Sequence, residues 1–189
     1  MIHLVIGGAR SGKSRFAESQ VQSIEVCQQA SKVTYIATAT ADDHEMLDRI
    51  SHHQKNRPES WDLIEEPFYL AQIIERLDQS DQIILIDCMT LWISNWLCDD
   101  SRDPIAWQKQ CEEFLETLSD SQAKILIVSN EVGGGIVPLG DLSREFVDQA
   151  GWLNQKLSER VSDVTLVISG IPIALKTDGQ YEKNIRALS

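Results

Sequence analysis

The chain has 189 residues, with 29 acidic and 17 basic side chains and a net charge of −12. That acidity weighs against nucleic acid or an anionic membrane surface as the main partner, and no apolar run approaches the about 20 residues of a membrane helix. Length and composition suit one globular domain, read as spanning residues 1–189.

A short apolar strand is predicted over residues 2–6. Gly7 ends this stretch too early for the apolar region of a signal peptide. Gly7-Gly8-Ala9-Arg10-Ser11-Gly12-Lys13-Ser14 follows at once and fits G-x-x-x-x-G-K-[ST]. A helix is predicted from residue 13 to 28, so the motif sits between strand and helix, as a phosphate-cradling P-loop requires. Its glycines let the backbone wrap a phosphate chain, and the helix N-terminus aims N–H groups at the anion. Lys13 is expected to reach the β- and γ-phosphates, and the Ser14 hydroxyl to hold Mg²⁺. A glycine-rich turn with a chance lysine is the bland alternative, and it does not explain the flanking elements.

The second strand, residues 33–36, delivers Ala37-Thr38-Ala39-Thr40 and leads into a predicted helix over 43–55. Met46, Ile50 and His53 share that helix's apolar stripe. His52 lies about 100° away, with Glu45, Asp48 and Arg49, where a carboxylate can fix its tautomer. His52 suits either a general base or a nucleophile that carries a phosphoryl or nucleotidyl group. It also suits an idle surface histidine. A zinc site from His44, His52 and His53 lacks a fourth ligand. Asn56-Arg57-Pro58 ends the helix.

A further helix is predicted over 67–77. The third predicted strand, 83–86, ends in Asp87; four apolar residues before an acid form the Walker B pattern, which holds Mg²⁺ opposite Ser14. The alternative role is a cap for the next helix. Trp92, Trp96 and Leu97 follow at helical spacing and are expected to cover the core or a subunit interface. A helix over 103–118 begins at Asp103-Pro104, a cap followed by a favoured first residue. Trp107, Cys111 and Leu115 form its stripe.

The fourth predicted strand, 125–128, delivers Ser129-Asn130-Glu131 and then three consecutive glycines, Gly133 to Gly135. Such a loop approaches a ligand closely or changes shape, unless it is a plain surface connection. Asn130 and Glu131 are candidate substrate hydrogen-bonders. A helix over 142–161 and a strand over 164–168 complete the pattern. Strands buried on both faces, alternating with helices, imply an α/β fold with a mostly parallel sheet. Ligands then bind at the carboxyl ends of the strands. The four cysteines, Cys27, Cys88, Cys98 and Cys111, form no C-x-x-C pair. They read as reduced, mostly buried thiols of a cytoplasmic protein.

Taken together, the motifs resemble one family across nearly the whole chain. They are the P-loop, Tyr35-Ile36-Ala37-Thr38, Glu45-Met46 with Arg49-Ile50, His52-His53 and Arg57-Pro58. Asp87-Cys88-Met89-Thr90-Leu91-Trp92, Asn130-Glu131-Val132-Gly133 with Gly135-Ile136-Val137-Pro138, Gly151 through Asn154-Gln155 and Ser169-Gly170-Ile171-Pro172 follow in order. This looks like the bifunctional adenosylcobinamide kinase / adenosylcobinamide-phosphate guanylyltransferase family of cobalamin synthesis.

The resemblance implies a P-loop NTPase (RecA-like) fold and two reactions. A nucleoside triphosphate, GTP or ATP, phosphorylates the aminopropanol hydroxyl of adenosylcobinamide. GMP from GTP is then transferred to that phosphate, releasing pyrophosphate. In the family the GMP rides on the first of two adjacent histidines, His52 here, with Lys13 as the other catalytic residue. The implied nucleotide contacts are Gly7, Gly8, Ala9, Arg10, Ser11, Gly12, Lys13, Ser14, Ala37, Thr38, Ala39, His53, Gln54, Lys55, Asn56, Glu65 and Asp87, the register between Glu65 and Glu66 being open. Mg²⁺ would sit on Ser14 and Asp87. The family also implies a corrinoid substrate and a homotrimer. Two departures stand out: Gly134 replaces a larger residue, commonly Met, and the Walker B acid is Asp where others have Glu. A plain small-molecule P-loop kinase and a regulatory nucleotide switch are the rival readings.

Overall fold

A computed structural model describes residues 1–28, 32–39, 58, 60–99 and 104–182 of the chain. Strand β1 (Ile2–Gly7) leads through the P-loop into α1 (Lys13–Gln28), then β2 (Lys32–Ala37), β3 (Asp62–Glu65), α2 (Leu70–Leu77) and β4 (Gln82–Asp87). Next come α3 (Met89–Cys98), α4 (Pro104–Asp120), β5 (Lys124–Asn130), α5 (Asp141–Arg160), β6 (Asp163–Ile168), β7 (Ile171–Thr177) and β8 (Gln180–Tyr181).

The strands form one sheet in the order β3-β2-β4-β5-β1-β6-β7-β8. The first six are parallel, and β7 and β8 are antiparallel additions. The five predicted strands are all present, each slightly longer than its apolar run. The mostly parallel α/β sheet is therefore as expected. Strand β5 lies between the P-loop strand β1 and the Walker B strand β4.

Strands β3, β7 and β8 are not announced by the sequence pattern. Strand β3 is short and exposed at the sheet edge, with acids at both ends, so it has no buried run to announce it. Pro172 sits inside β7, where it lacks a ladder donor and reads as a break. The helix predicted over 67–77 begins only at Leu70. The helix predicted over 43–55 lies outside the described residues.

Each face of the sheet has its own core. Alternate side chains Val5, Leu85, Leu126 and Val128 pack with Ala17 and Val21 of α1. The opposite set, Leu4, Ile84, Ile86, Ile125 and Ile127, packs against α2, α3, α4 and α5. Trp92, Trp96, Trp107, Cys111 and Leu115 are buried in that second core, as their spacing predicted. Trp92 meets Trp107 edge-on at 4.9 Å between ring centroids. All four cysteines are free, but only Cys88 and Cys111 are buried; Cys27 and Cys98 are exposed, fewer buried thiols than expected. Among the described residues no helix is long and apolar enough to cross a membrane.

Candidate functional site

The register brings the sequence motifs to one edge. Glu65 pairs with Ala37, Ala37 with Asp87, Asp87 with Val128, and Asn130 with Gly7. These are the carboxyl ends of β3, β2, β4, β5 and β1, where an open α/β sheet takes its ligand.

The P-loop is built from the backbone outward. Ser11 N–H donates to Gly8 O at 3.2 Å, closing the turn, and Phe16 N–H donates to Gly12 O at 3.0 Å, starting α1. Gly12 has φ +94°, a conformation that side chains rarely adopt, and an added Cβ would also crowd Gly170 Cα at 3.3 Å. At Gly7 a Cβ would lie 2.4 Å from Val167 O and 2.6 Å from Ser11 Oγ. The first and last glycines of the motif are thus demanded by neighbours on β6 and the turn after it. Gly170 N–H donates to Ser11 O at 2.7 Å, so that turn also supports the loop. Here the Ser169-Gly170 stretch, noted in the sequence without a role, acquires one.

Lys13 opens α1 and is only 8% exposed. Its ammonium donates to Gly8 O at 3.1 Å, reaching back over the loop. Burial pushes its pKa below the ordinary lysine value, while Cys88 and Asp87 pull it upward. The Asp87 carboxylate therefore lies within electrostatic range of the P-loop lysine although β5 separates their strands. Asp87 Oδ2 accepts the Tyr35 hydroxyl at 3.0 Å. Burial, then the nearby Asp87 charge, push the Cys88 thiol up to about 11, so it stays protonated and inert at neutral pH.

Thr38 is fully buried. Its hydroxyl donates to Cys88 O at 2.7 Å and accepts Cys88 N–H at 2.9 Å, while Thr38 N–H donates to Asp87 O at 3.2 Å. Its side chain thus locks β2 to β4 beside Asp87. Asn95 of α3 donates to Thr38 O at 2.7 Å and Pro67 O at 3.1 Å, tying the segments after β2 and β3 to that helix. Nothing in the one-dimensional pattern marks Asn95, because its partners are backbone carbonyls far away in sequence.

The structure distinguishes Glu65 from Glu66. Glu66 Oε1 accepts the N–H groups of Phe68 and Tyr69 at 2.9 Å each, an anchor just ahead of α2. Glu65 ends β3 beside Ala37 and is exposed. Asn130 and Glu131 are also turned to local tasks. The Asn130 amide donates to Thr90 Oγ1 at 2.6 Å, and Asn130 O accepts from Asn154 at 3.1 Å. Glu131 Oε1 accepts Gly133 N–H at 2.9 Å.

His52, His53, Gln54, Lys55 and Asn56 lie outside the described residues, as does His44. The chain enters their segment from Thr38 and Ala39, at the same edge as Asp87. Beyond it, buried Trp61 donates its indole N–H to Glu25 Oε2 at 3.1 Å and fixes the chain's return against α1.

A family model described as cobinamide kinase / cobinamide phosphate guanyltransferase matches residues 3–175. The bifunctional adenosylcobalamin biosynthesis protein CobP of Pseudomonas aeruginosa is 45% identical over 93% of this chain and 98% of its own length. The bifunctional adenosylcobalamin biosynthesis protein CobU of Escherichia coli is 38% identical over 93% of this chain and 100% of its own. A solved structure from Pyrococcus horikoshii aligns with a TM-score of 0.52 at 10% identity, over 96% of this chain and 91% of that one, a likeness of fold alone.

Proposed function

This chain belongs to the cobinamide kinase / cobinamide phosphate guanyltransferase family, and from that membership we propose that one P-loop serves both transfers of cobalamin biosynthesis in it. In the first, the aminopropanol hydroxyl of adenosylcobinamide attacks the γ-phosphorus of a nucleoside triphosphate, and the diphosphate leaves. In the second, the His52 imidazole attacks the α-phosphorus of GTP and pyrophosphate leaves. The substrate phosphate then displaces the imidazole and yields adenosylcobinamide-GDP.

The observation that carries this reading is the gathering of the P-loop, Lys13 and Asp87 at the edge from which the chain departs toward His52. Backbone N–H groups at the start of α1 and the Lys13 ammonium would meet phosphate oxygens, where both transfers build up charge. Ala37, Thr38, Ala39, His53, Gln54, Lys55, Asn56 and Glu65 complete the nucleotide site in this proposal. The oxygen donors Ser14 and Asp87 suit Mg²⁺, a hard cation that takes few protein oxygens and fills its shell with phosphate and water. When bound it would offset negative charge on the phosphates. Assembly as a trimer and a cytoplasmic setting belong to the same proposal.

The two reactions break different bonds. One bound pose cannot offer both the γ- and the α-phosphorus to nucleophiles held in one place, since reacting atoms must approach within about 3–3.5 Å. Either the segment carrying His52 moves between steps or the nucleotide binds in two ways.

Incubation with adenosylcobinamide and GTP tests the reading. Both products are expected in order, the phosphate ester and then the GDP derivative, with one pyrophosphate released for each GMP transferred. A plain kinase stops at the phosphate ester, and a nucleotide switch forms neither product.

A further inference from the structure

The loop between β5 and α5 is an apolar surface set beside the P-loop. Its root is tied to the nucleotide cradle, because Glu131 N–H donates to Gly7 O at 3.1 Å. Its far end is tied to α5, where Arg144 donates to Pro138 O at 3.1 Å and also bonds Asp141. Between these anchors the side chains face outward: Ile136 is 97% exposed, Val137 73% and Leu139 96%. Leu142, in the first turn of α5, adds to the patch. Gly134 and Gly135 precede it, and a Cβ at either would meet nothing within 4 Å. The fold does not require glycine there, and its use leaves bare backbone open to a broad ligand.

The helix that follows rises with the loop. Asn154 bonds Asn130 O, so the carboxyl edge of β5 lies level with Asn154 rather than with the start of α5. The helix returns to the opposite edge, where Ser162 N–H donates to Ile2 O at 3.0 Å. The part of α5 before Asn154, about 20 Å long at 1.5 Å per residue, therefore continues past the strand ends.

We propose that this loop and the first turn of α5 dock the corrinoid ring of the acceptor substrate, an inference that rests on the function proposed above. The occupant follows from place and chemistry. The acceptor hydroxyl must reach the phosphate held by the P-loop, and it hangs from the ring on a short amide-linked arm. The ring must then lie just beyond the cradle, and a loop rooted on Gly7 stands there. A corrinoid presents a broad face edged by methyl groups and neutral amides. With trivalent cobalt and an alkyl ligand it carries net positive charge, which complements a chain of net charge −12 whose loop carries Glu131 at its root. Branched aliphatic side chains match the methyl edges, and bare glycine backbone offers partners to the amides.

The test uses the full chain with Ile136→Asp and Leu139→Asp, singly and together; both side chains are nearly fully exposed, so folding is preserved. Five quantities are read: dicyanocobinamide affinity by equilibrium dialysis, KM for adenosylcobinamide, KM for GTP, labelling of the protein by α-labelled GTP without corrinoid, and oligomeric state by sedimentation. Corrinoid affinity is expected to fall at least tenfold in the double variant and KM for adenosylcobinamide to rise in step. KM for GTP, labelling and assembly should stay unchanged. Unchanged corrinoid affinity overturns the assignment, and altered assembly alone gives the patch to a second copy of the chain. Loss of both also overturns it, because the patch would then act through assembly. Wild-type protein that binds no corrinoid overturns the docking surface, and if it also takes no label from GTP the proposed function falls as well.

Discussion

The Tyr35 hydroxyl donates to Asp87 Oδ2 at 3.0 Å, across the β2–β4 pairing in which Tyr35 lies opposite Leu85. A tyrosine inside one strand thus orients the acid that ends its neighbour. Tyr35→Phe keeps the ring in its core and removes that bond. The Mg²⁺ concentration for half-maximal kinase activity should rise several-fold, and Mn²⁺ binding in the presence of a non-hydrolysable GTP analogue should weaken equally. The Tm should fall by only a few degrees, since one such bond is worth about 1 kcal/mol. Unchanged metal dependence would mean that the hydroxyl does not position Asp87.

Gly7 allows no side chain. Its missing Cβ would fall 2.4 Å from Val167 O, a carbonyl on β6. Gly7→Ala should weaken binding of a fluorescent GTP analogue at least tenfold and lower Tm. Gly8→Ala, whose Cβ meets nothing within 4 Å, should leave Tm unchanged. Equal thermal behaviour of the two variants would contradict the packing account.

Lys176 on β7 serves stability. Its buried ammonium donates to Val161 O at 2.7 Å, Ser158 O at 2.9 Å and Glu159 O at 3.3 Å, satisfying carbonyls at the C-terminal end of α5. Lys176→Met keeps the stem and strands those carbonyls, a loss of about 2 kcal/mol. Tm should fall by roughly 4–8 °C, with activity at room temperature retained. An unchanged Tm would show that the ammonium contributes nothing net.

His3 gives stability a pH dependence. Burial pushes its pKa below the ordinary 6.5, Asp163 partly opposing this, and its Nε2 meets Thr165 Oγ1 at 2.8 Å. Below pH 6.5 the unfolded chain takes up a proton that the folded chain refuses, so stability must fall as pH falls through the window beneath that value. Above it, both states are neutral at this site and the dependence vanishes. Urea unfolding of the wild type and His3→Gln between pH 5 and 8 checks this: the difference between them should shift in favour of the variant as pH drops. A constant difference would contradict it.

Much of this architecture was legible because parallel strands buried on both faces leave continuous β-branched runs. The P-loop was legible because its first and last glycines are demanded by specific neighbours and stand at fixed spacing before Lys13. Asp87 stood out as an acid after four apolar residues. What escaped depended on partners remote in sequence. Tyr35 stands in the sequence only as part of a strand and a motif, and only the β2–β4 register reveals its reach to Asp87. Thr38 drew notice as a ligand contact, yet its hydroxyl is occupied by both sides of the Cys88 backbone. Strand β7 escaped because Pro172 breaks the pattern and two of its isoleucines face out.

In the proposed function one P-loop feeds both transfers and His52 carries the second. Incubating the wild type, Lys13→Ala and His52→Asn with α-labelled GTP, and in parallel with adenosylcobinamide and nucleoside triphosphate, tests it most directly. Acid-labile, alkali-stable label is expected on the wild type and none on His52→Asn, with cobinamide phosphorylation retained in His52→Asn but lost together with labelling in Lys13→Ala. Label persisting on His52→Asn, or labelling undiminished in Lys13→Ala, would contradict it.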